Sequence, residues 1–303
     1  MAKRSILHMF DPMPHNSPFD VNMALDAGFD ILMPYNNVKL DNVHGLIQDA
    51  IFSRGPAGVK KTAVFIGGRD MRLAMEMLKV SEQAMVPPFV ISVLADPSGA
   101  FTTAAALVAC VEKELKAKHG KDLQDCNAVV FGGTGPVGIA CGVIASLAGA
   151  KTTLIDHFSL NIAAVTASVY NRCGNCNMNA ACAATDAEKM ALIEYVDMFF
   201  CTAIAGVLVL SSEVLSTAKQ LKVAGDVNAV PPAGIAGIKS KHFGEPLIHV
   251  SNAEAAVGIG ALAIGDIKYK VQQILLQYML ETDKPEYLDF RDAFSRAREI
   301  LKS

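Results

Sequence analysis

The chain has 303 residues, 51% of them apolar and 19% charged, which suits two folded units with their own cores and excludes a disordered chain. Its net charge is −3, from 27 basic and 30 acidic residues, with no run of Lys and Arg. That balance argues against a nucleic-acid partner, which needs a basic face to displace counterions from phosphates, but is compatible with an anionic small molecule.

Lys3 and Arg4 precede a short apolar run, but Asp11 and Pro12 end it too early for a signal peptide or membrane anchor. Strand-like and helix-like segments then alternate to the end of the chain, the pattern of parallel α/β layers. Strands are expected at Ser5 to Met9, Asp30 to Met33, Thr62 to Ile66 and Phe89 to Leu94. Helices fall between them, near Phe19 to Ala27, Asp41 to Phe52 and Asp70 to Met85. A fourth helix, about Thr102 to Lys118, is expected to end at His119-Gly120, where glycine provides a C-cap.

The second unit opens with a strand at Ala128 to Phe131 and a helix at Pro136 to Leu147. The uncharged stretch Ala128 to Ala150 is long enough for a bilayer, but Gly132, Gly133, Gly135, Gly138 and Pro136 divide it into strand, turn and helix, so no membrane span is expected. Next come a strand at Lys151 to Ile155, a helix near Leu160 to Tyr170, a strand at Asn179 to Ala184 and a helix at Ala187 to Val196. Further strands are expected at Asp197 to Cys201 and Leu221 to Gly225. A long helix from Gly258 to about Leu280 should return the chain to the first unit, and an amphipathic helix at Phe290 to Leu301 should pack there too. The expected division is therefore 1–110 with 270–303, a discontinuous domain, against 111–269.

Seven cysteines in a chain of this kind read as reduced thiols of a cytoplasmic protein. Cys173 and Cys176 form a C-x-x-C with Cys182 nearby, but no second ligand pair has zinc-ribbon spacing. The stretch reads as an Asn/Cys/Gly-rich loop before a strand, and no metal is expected.

Gly133, Gly135 and Gly138 form a G-x-G-x-x-G between an apolar strand and an apolar helix, the setting that a dinucleotide-binding turn requires. Gly133 permits the tight turn, Gly135 leaves room for a pyrophosphate, and Gly138 lets helix and strand pack closely. Pro136 suits the first helical turn, and Thr134 and Val137 complete the segment whose free N–H groups and positive dipole end face the phosphates. The next strand ends at Asp156, eighteen residues beyond Gly138, where a carboxylate can accept from the ribose hydroxyls and repel a 2′-phosphate. No Arg or Lys follows at once, and His157 only partly offsets the repulsion, so NAD is favoured over NADP. Ala203, just past the strand ending at Cys201, is counted with the cofactor residues.

Hydride abstraction from an alcohol usually requires a general base or a metal, yet none of the seven histidines stands in a catalytic setting. His8, His44 and His119 read as structural or exposed. A hydride donor that needs no base would fit.

Ser17-Pro-Phe-Asp-Val-Asn-Met23, Asp96-Pro-Ser-Gly-Ala-Phe-Thr-Thr103, Phe131-Gly-Gly-Thr-Gly-Pro-Val-Gly138, Asp226-Val-Asn-Ala-Val-Pro-Pro-Ala-Gly-Ile-Ala-Gly237 and Gly258-Ile-Gly-Ala-Leu-Ala-Ile-Gly-Asp-Ile-Lys-Tyr-Lys270 together resemble the bacterial NAD(P)-dependent methylene-tetrahydromethanopterin dehydrogenases. The resemblance runs over essentially the whole chain. It resembles most the branch that accepts NAD as well as NADP, with which Asp156 agrees; the Arg that the strictly NADP-dependent branch carries near this position is absent here.

The resemblance implies an α/β fold with an N-terminal pterin domain and a parallel-sheet Rossmann domain. It implies oxidation of methylene- to methenyl-tetrahydromethanopterin by NAD(P)+ in one-carbon metabolism, and a homo-oligomer of three or six subunits. Position by position it assigns Lys268 and Asp20 to the active site and Phe19 beside Asp20 at the pterin. Ser98, Thr102 and Thr103 go to the substrate cleft, and Asn228 to the nicotinamide end of the cofactor. Plainer readings stand beside these: a solvated Lys268 on a helix beginning at Gly265-Asp266, a core Phe19, a dipole-complementing Asp20, and helix-capping Thr102 and Thr103.

Three other readings compete. A methylene-tetrahydrofolate dehydrogenase of the same fold would carry a Tyr-x-x-x-Lys, and Tyr35 and Lys39 have that spacing without other support. A shikimate- or amino-acid-type dehydrogenase would need a Lys/Asp dyad that is not found. A non-catalytic nucleotide-sensing protein would need no acid-base groups at all.

Overall fold

The computed structural model describes residues 3–251 and 256–302, so the outer ends of the expected ranges 1–110 and 270–303 lie outside the described residues. Along the chain run β1 (Ile6–Phe10), α1 (Pro18–Asp26), β2 (Ile31–Tyr35), α2 (Leu40–Phe52), α3 (Pro56–Val59), β3 (Thr62–Ile66), α4 (Met71–Gln83), β4 (Ser92–Ala95) and α5 (Ala100–His119). Then come β5 (Asn127–Phe131), α6 (Pro136–Leu147), β6 (Lys151–Asp156), α7 (Leu160–Gly174), β7 (Asn179–Cys182), α8 (Asp186–Ile193), β8 (Met198–Cys201), α9 (Ser212–Leu215) and β9 (Val223–Asp226). The chain closes with β10 (Phe243–Pro246), β11 (Val257–Ile259), α10 (Ala261–Glu281), β12 (Tyr287–Leu288) and α11 (Phe290–Lys302).

Internal contacts divide the chain into Met1–Thr102 with Tyr269–Arg296, and Thr103–Lys268 with the residues from Ala297 onward. The first of these edges falls inside α5, where the sequence suggests 110, and the second inside α10. The end of α11 groups with the second unit: Glu112 receives Arg298 Nε at 2.6 Å and Nη2 at 2.8 Å, a two-pronged ion pair that the apolar pattern of α11 does not announce.

The first unit is a five-stranded parallel sheet in the order β12-β4-β3-β1-β2. Thr62-Ala-Val-Phe-Ile66 is buried at every position, as a central parallel strand covered on both faces must be. Helix α4 is capped by Asp70, whose side chain accepts from the N–H of Arg72 and of Leu73. Phe290 meets Phe101 edge-on, with centroids 5.5 Å apart.

The second unit is a seven-stranded sheet, β10-β11-β9-β8-β5-β6-β7, parallel except for the β10–β11 edge. Without β10 this is the 3-2-1-4-5-6 order of a Rossmann sheet, with its switch point between β5 and β8. Its core includes Val129, Phe131, Ile155, Phe199, Leu215 and Ile235. Among the described residues no helix is long and apolar enough to cross a membrane, and Ala128 to Ala150 resolves into strand, turn and helix.

Several expectations are corrected. Gly258 lies in β11, paired with Ala224, and α10 starts only at Ala261, because the run that looks like a helix begins with a buried strand. Helix α5 starts at Ala100, ahead of Thr102. Cys173 sits in the last turn of α7 and Cys182 on β7, leaving only Cys176 in the loop; a left-handed Asn175 ends the helix. Strands β10, β11 and β12 carry no expected counterpart.

Candidate functional site

In the second unit the parallel strands β5, β6, β8 and β9 all end on one edge, so the loops after them converge there. The glycine turn follows β5. Gly132 has φ +74°, and a Cβ on it would lie 2.7 Å from the backbone of Ala203, which places Ala203 against the turn at the switch point. A Cβ on Gly138 would fall 2.1 Å from the Gly132 carbonyl oxygen, so helix and turn are in the close contact that only glycine allows. Gly135 is different: its Cβ would meet nothing nearer than that same oxygen at 3.5 Å. The space over Gly135 is thus free of protein at the N-terminus of α6, where Pro136 occupies the first turn. The first N–H groups of a helix have no intrahelical acceptor, so beside an open glycine they suit a pyrophosphate, and the turn fits a dinucleotide.

Asp156 ends β6 and is only 8% exposed. Its Oδ2 accepts from the Thr134 hydroxyl at 2.6 Å, and its Oδ1 from the N–H groups of Phe158 and Ser159, both at 2.8 Å. Burial raises its pKa, but these three donors and the nearby His157 outweigh burial and hold it below the ordinary value. His157 itself is exposed, as are Phe158 and Leu160. Thr134, Pro136 and Val137 are half-buried.

Asn228 is brought to the end of β9 but is turned into its own loop. Its Oδ1 accepts from the N–H of Gly206 and of Val230, each at 3.0 Å, and its Nδ2 donates to the Pro232 carbonyl at 2.9 Å. With both acceptor positions used and only 7% exposure, it ties the β8 and β9 loops together, and its amide oxygen is not open to a ligand. Asp226 supports it, accepting from the N–H of Asn228 at 2.9 Å and of Ile235 at 3.1 Å. Burial raises the Asp226 pKa, and burial also raises that of the Cys201 thiol beside it. Asp226 was not a sequence candidate, although Asp-x-Asn at a strand end signals such a side-chain-closed turn.

In the first unit the loops after β1, β3 and β4 likewise share one edge. Asp20, in the first turn of α1, is 5% exposed, and Gln272 Nε2 donates to its Oδ1 at 2.8 Å. Phe19 beside it is 48% exposed, so it is no core residue. Ser98 has φ +54° and donates its hydroxyl to the Gly68 carbonyl at 2.7 Å. Thr102 departs from expectation: it is fully buried, and its hydroxyl donates to Asp96 Oδ2 at 2.7 Å. Asp96 Oδ1 also takes the N–H groups of Phe101 and Thr102, so Asp96 holds the start of α5 and Thr102 is a brace with no face for a ligand. Neither threonine is an N-cap, since α5 begins before them. Asp11, outside the expected site residues, is buried against Gly67; it accepts from Met13 N–H at 2.8 Å, and burial raises its pKa.

Thr103 and Lys268 belong to the second unit, and both are half-buried. Lys268 lies well inside α10, which starts at Ala261, not at Gly265-Asp266. Tyr35 shares a hydrogen bond with His8 Nδ1 at 3.1 Å, and the backbone N–H of Lys39 is bonded to Asn42, so the Tyr-x-x-x-Lys pattern has a local structural use. His8 has a lowered pKa from burial and the charge of Arg54. Among the described residues no group of three or more His, Cys, Asp or Glu side chains is placed to hold a metal ion.

Strand order, a glycine turn at the switch point and an acidic strand end define an α/β protein with a Rossmann-type dinucleotide-binding fold. Solved structures agree on the fold. A shikimate 5-dehydrogenase from Listeria monocytogenes, in complex with shikimate and NAD, aligns over 98% of this chain and 96% of its own with a TM-score of 0.55 at 14% identity. An NAD-dependent malic enzyme from Thermotoga maritima aligns over 97% and 84% with a TM-score of 0.57 at 12% identity. Residues 18–98 match the profile of the N-terminal part of methylene-tetrahydromethanopterin dehydrogenase. The NAD(P)-dependent methylenetetrahydromethanopterin dehydrogenase of Methylorubrum extorquens is 45% identical over 98% of this chain and 99% of its own length. The bifunctional protein MdtA of the same organism is 30% identical over 99% of this chain and all of its own. The chain belongs to the methylene-tetrahydromethanopterin dehydrogenase family.

Proposed function

We propose that the protein oxidises methylene-tetrahydromethanopterin to methenyl-tetrahydromethanopterin with NAD(P)+, as a cytoplasmic homo-oligomer of three or six subunits, with NAD favoured by Asp156. The observation that carries this is the full-length 45% identity to a relative named for that activity. The open space over Gly135 supports the cofactor half of the reading.

A nicotinamide held at this turn would supply a hydride acceptor; the methylene carbon of the pterin lies between two nitrogens, which share the positive charge that loss of hydride leaves. No proton has to be moved, which accords with the absence of a catalytic histidine from the candidate residues. The protein's work is then to hold substrate and cofactor in a near-attack pose, reacting atoms about 3–3.5 Å apart, and to keep water out. Lys268 cannot help by standing at the reacting carbon, where an ammonium would oppose the developing charge; it bonds a polar substrate atom farther away. Asp20 offsets positive charge or receives the pterin's N–H edge, held in position by Gln272. Phe19, Ser98 and Thr103 contact the pterin, while Thr102 and Asn228 act through the loops they brace.

Initial rates with methylene-tetrahydromethanopterin and each nicotinamide cofactor in turn test the proposal. Pterin-dependent formation of NADH or NADPH is expected. Reduction of neither, or reduction only with an unrelated alcohol or acid, would overturn it.

A further inference from the structure

The Thr134–Asp156 bond bears on the choice between NAD and NADP, an inference that rests on the proposed use of a nicotinamide cofactor at this turn. An ionised carboxylate has about four acceptor positions. Asp156 has already committed three of them: Oδ2 to the Thr134 hydroxyl at 2.6 Å, and Oδ1 to Phe158 N–H and Ser159 N–H at 2.8 Å each. The ribose of NAD offers two neighbouring hydroxyls, so Asp156 as it stands can receive one of them and not both. The same three donors withdraw charge from the carboxylate, which softens its repulsion of a 2′-phosphate. The two backbone donors belong to the loop itself and are fixed. The Thr134 hydroxyl is the one donor supplied by a side chain, and it comes from within the glycine turn.

We propose that Thr134 is a specificity-determining residue: by occupying Asp156 Oδ2 it weakens the preference for NAD over NADP that an untethered carboxylate would impose. Freeing Oδ2 would let the carboxylate grip both ribose hydroxyls and meet a 2′-phosphate with less of its charge neutralised. NAD gains and NADP loses.

The test is the preference for NAD over NADP, read both as the ratio of kcat/KM values in pterin-dependent reduction and as the ratio of affinities (1/Kd) for the two cofactors measured without pterin. Thr134→Val removes the hydroxyl at nearly constant shape, and the ratio is expected to rise about tenfold, within the range of one hydrogen bond to a charged group. Thr134→Ser keeps the donor and should hold the ratio within about twofold of the parent, the scatter expected for an unperturbed site. Asp156→Asn should move the ratio toward NADP, and adding Thr134→Val to it should change nothing further, since the two residues then share no charge-assisted bond. If Thr134→Val does not fold, Thr134→Ala is read by the same ratio. An unchanged ratio in the valine variant, a shift toward NADP, or a serine variant that behaves like valine would each overturn the proposal while leaving the proposed activity standing. A parent protein that reduces neither cofactor would instead overturn the activity itself.

Discussion

Gln272 donates its side-chain amide to the Asp20 carboxylate across 252 residues of sequence, at 2.8 Å and with Gln272 fully buried. Helix α10 therefore reaches back to the first turn of α1 and sets the orientation of the carboxylate assigned to the pterin. Gln272→Met keeps the volume and removes the donor. It should lower the unfolding free energy by about 1–3 kcal/mol, the scale of a bond to a charged group, and raise KM for the pterin. Urea melts and steady-state kinetics read both; a variant matching the parent in stability and KM would show the bond to be incidental.

Two glycines in the same turn should respond oppositely to alanine. Gly138→Ala places a Cβ 2.1 Å from the Gly132 carbonyl, and neither backbone can yield cheaply, so a loss of at least about 2 kcal/mol is expected in a thermal or urea melt. Gly135→Ala meets only a contact at 3.5 Å and should fold as stably as the parent to within about 0.5 kcal/mol. Its methyl group would stand where the pyrophosphate approaches, so KM for NAD should climb by tenfold or so, as for the loss of about 1.4 kcal/mol of binding. Equal destabilisation by the two, or an unaltered KM in Gly135→Ala, would remove the phosphate from this position.

Asp156 also predicts an acid limb to stability. Its folded pKa lies below the ordinary value of 3.8, because hydrogen bonds and His157 overcome burial. A carboxylate with a depressed folded pKa adds stability that is complete above its unfolded pKa and is lost as the pH falls through the folded one. Asp156→Asn should therefore be less stable than the parent near pH 6, by about 1–2 kcal/mol, with the gap narrowing as pH drops below about 4. A gap that stays constant with pH would place the effect in packing and not in ionisation.

Lys268 is expected to orient the pterin without exchanging a proton. Lys268→Met should then lower turnover by about a hundredfold, as a misplaced substrate does, while both proteins keep flat pH–rate profiles across neutrality. If the parent shows a bell-shaped profile and one limb disappears with the lysine, Lys268 is an acid–base group and the orienting role is wrong.

The strand, glycine turn and helix could be read from the chain because their signals are local. Gly133, Gly135 and Gly138 needed only a strand before them and a helix after them, and both are present as β5 and α6. Asp156 followed from one strand further on. Local signals also misled. Gly258-Ile259 continues the apolar run of α10 and reads as helix, since a buried strand of three residues carries no periodicity of its own; its pairing with Val223 to Gly225 decides it. Thr102 looked like a ligand or a cap because nothing nearby shows that Asp96 takes both its hydroxyl and its N–H.

What the amino-acid order determined unaided, then, is the alternation of strands and helices, the glycine turn and the acid that follows it, for each is written within a span of a few residues through periodicity, backbone freedom and spacing. What waited for the tertiary structure is how those groups are already employed: Thr134 on Asp156, Gln272 on Asp20, Asn228 on Gly206 and Pro232, Arg298 on Glu112. Such partners sit from a few to a couple of hundred positions apart, and a buried polar group takes whichever donor or acceptor the packed chain brings within about 3 Å. No rule of sequence spacing specifies that choice.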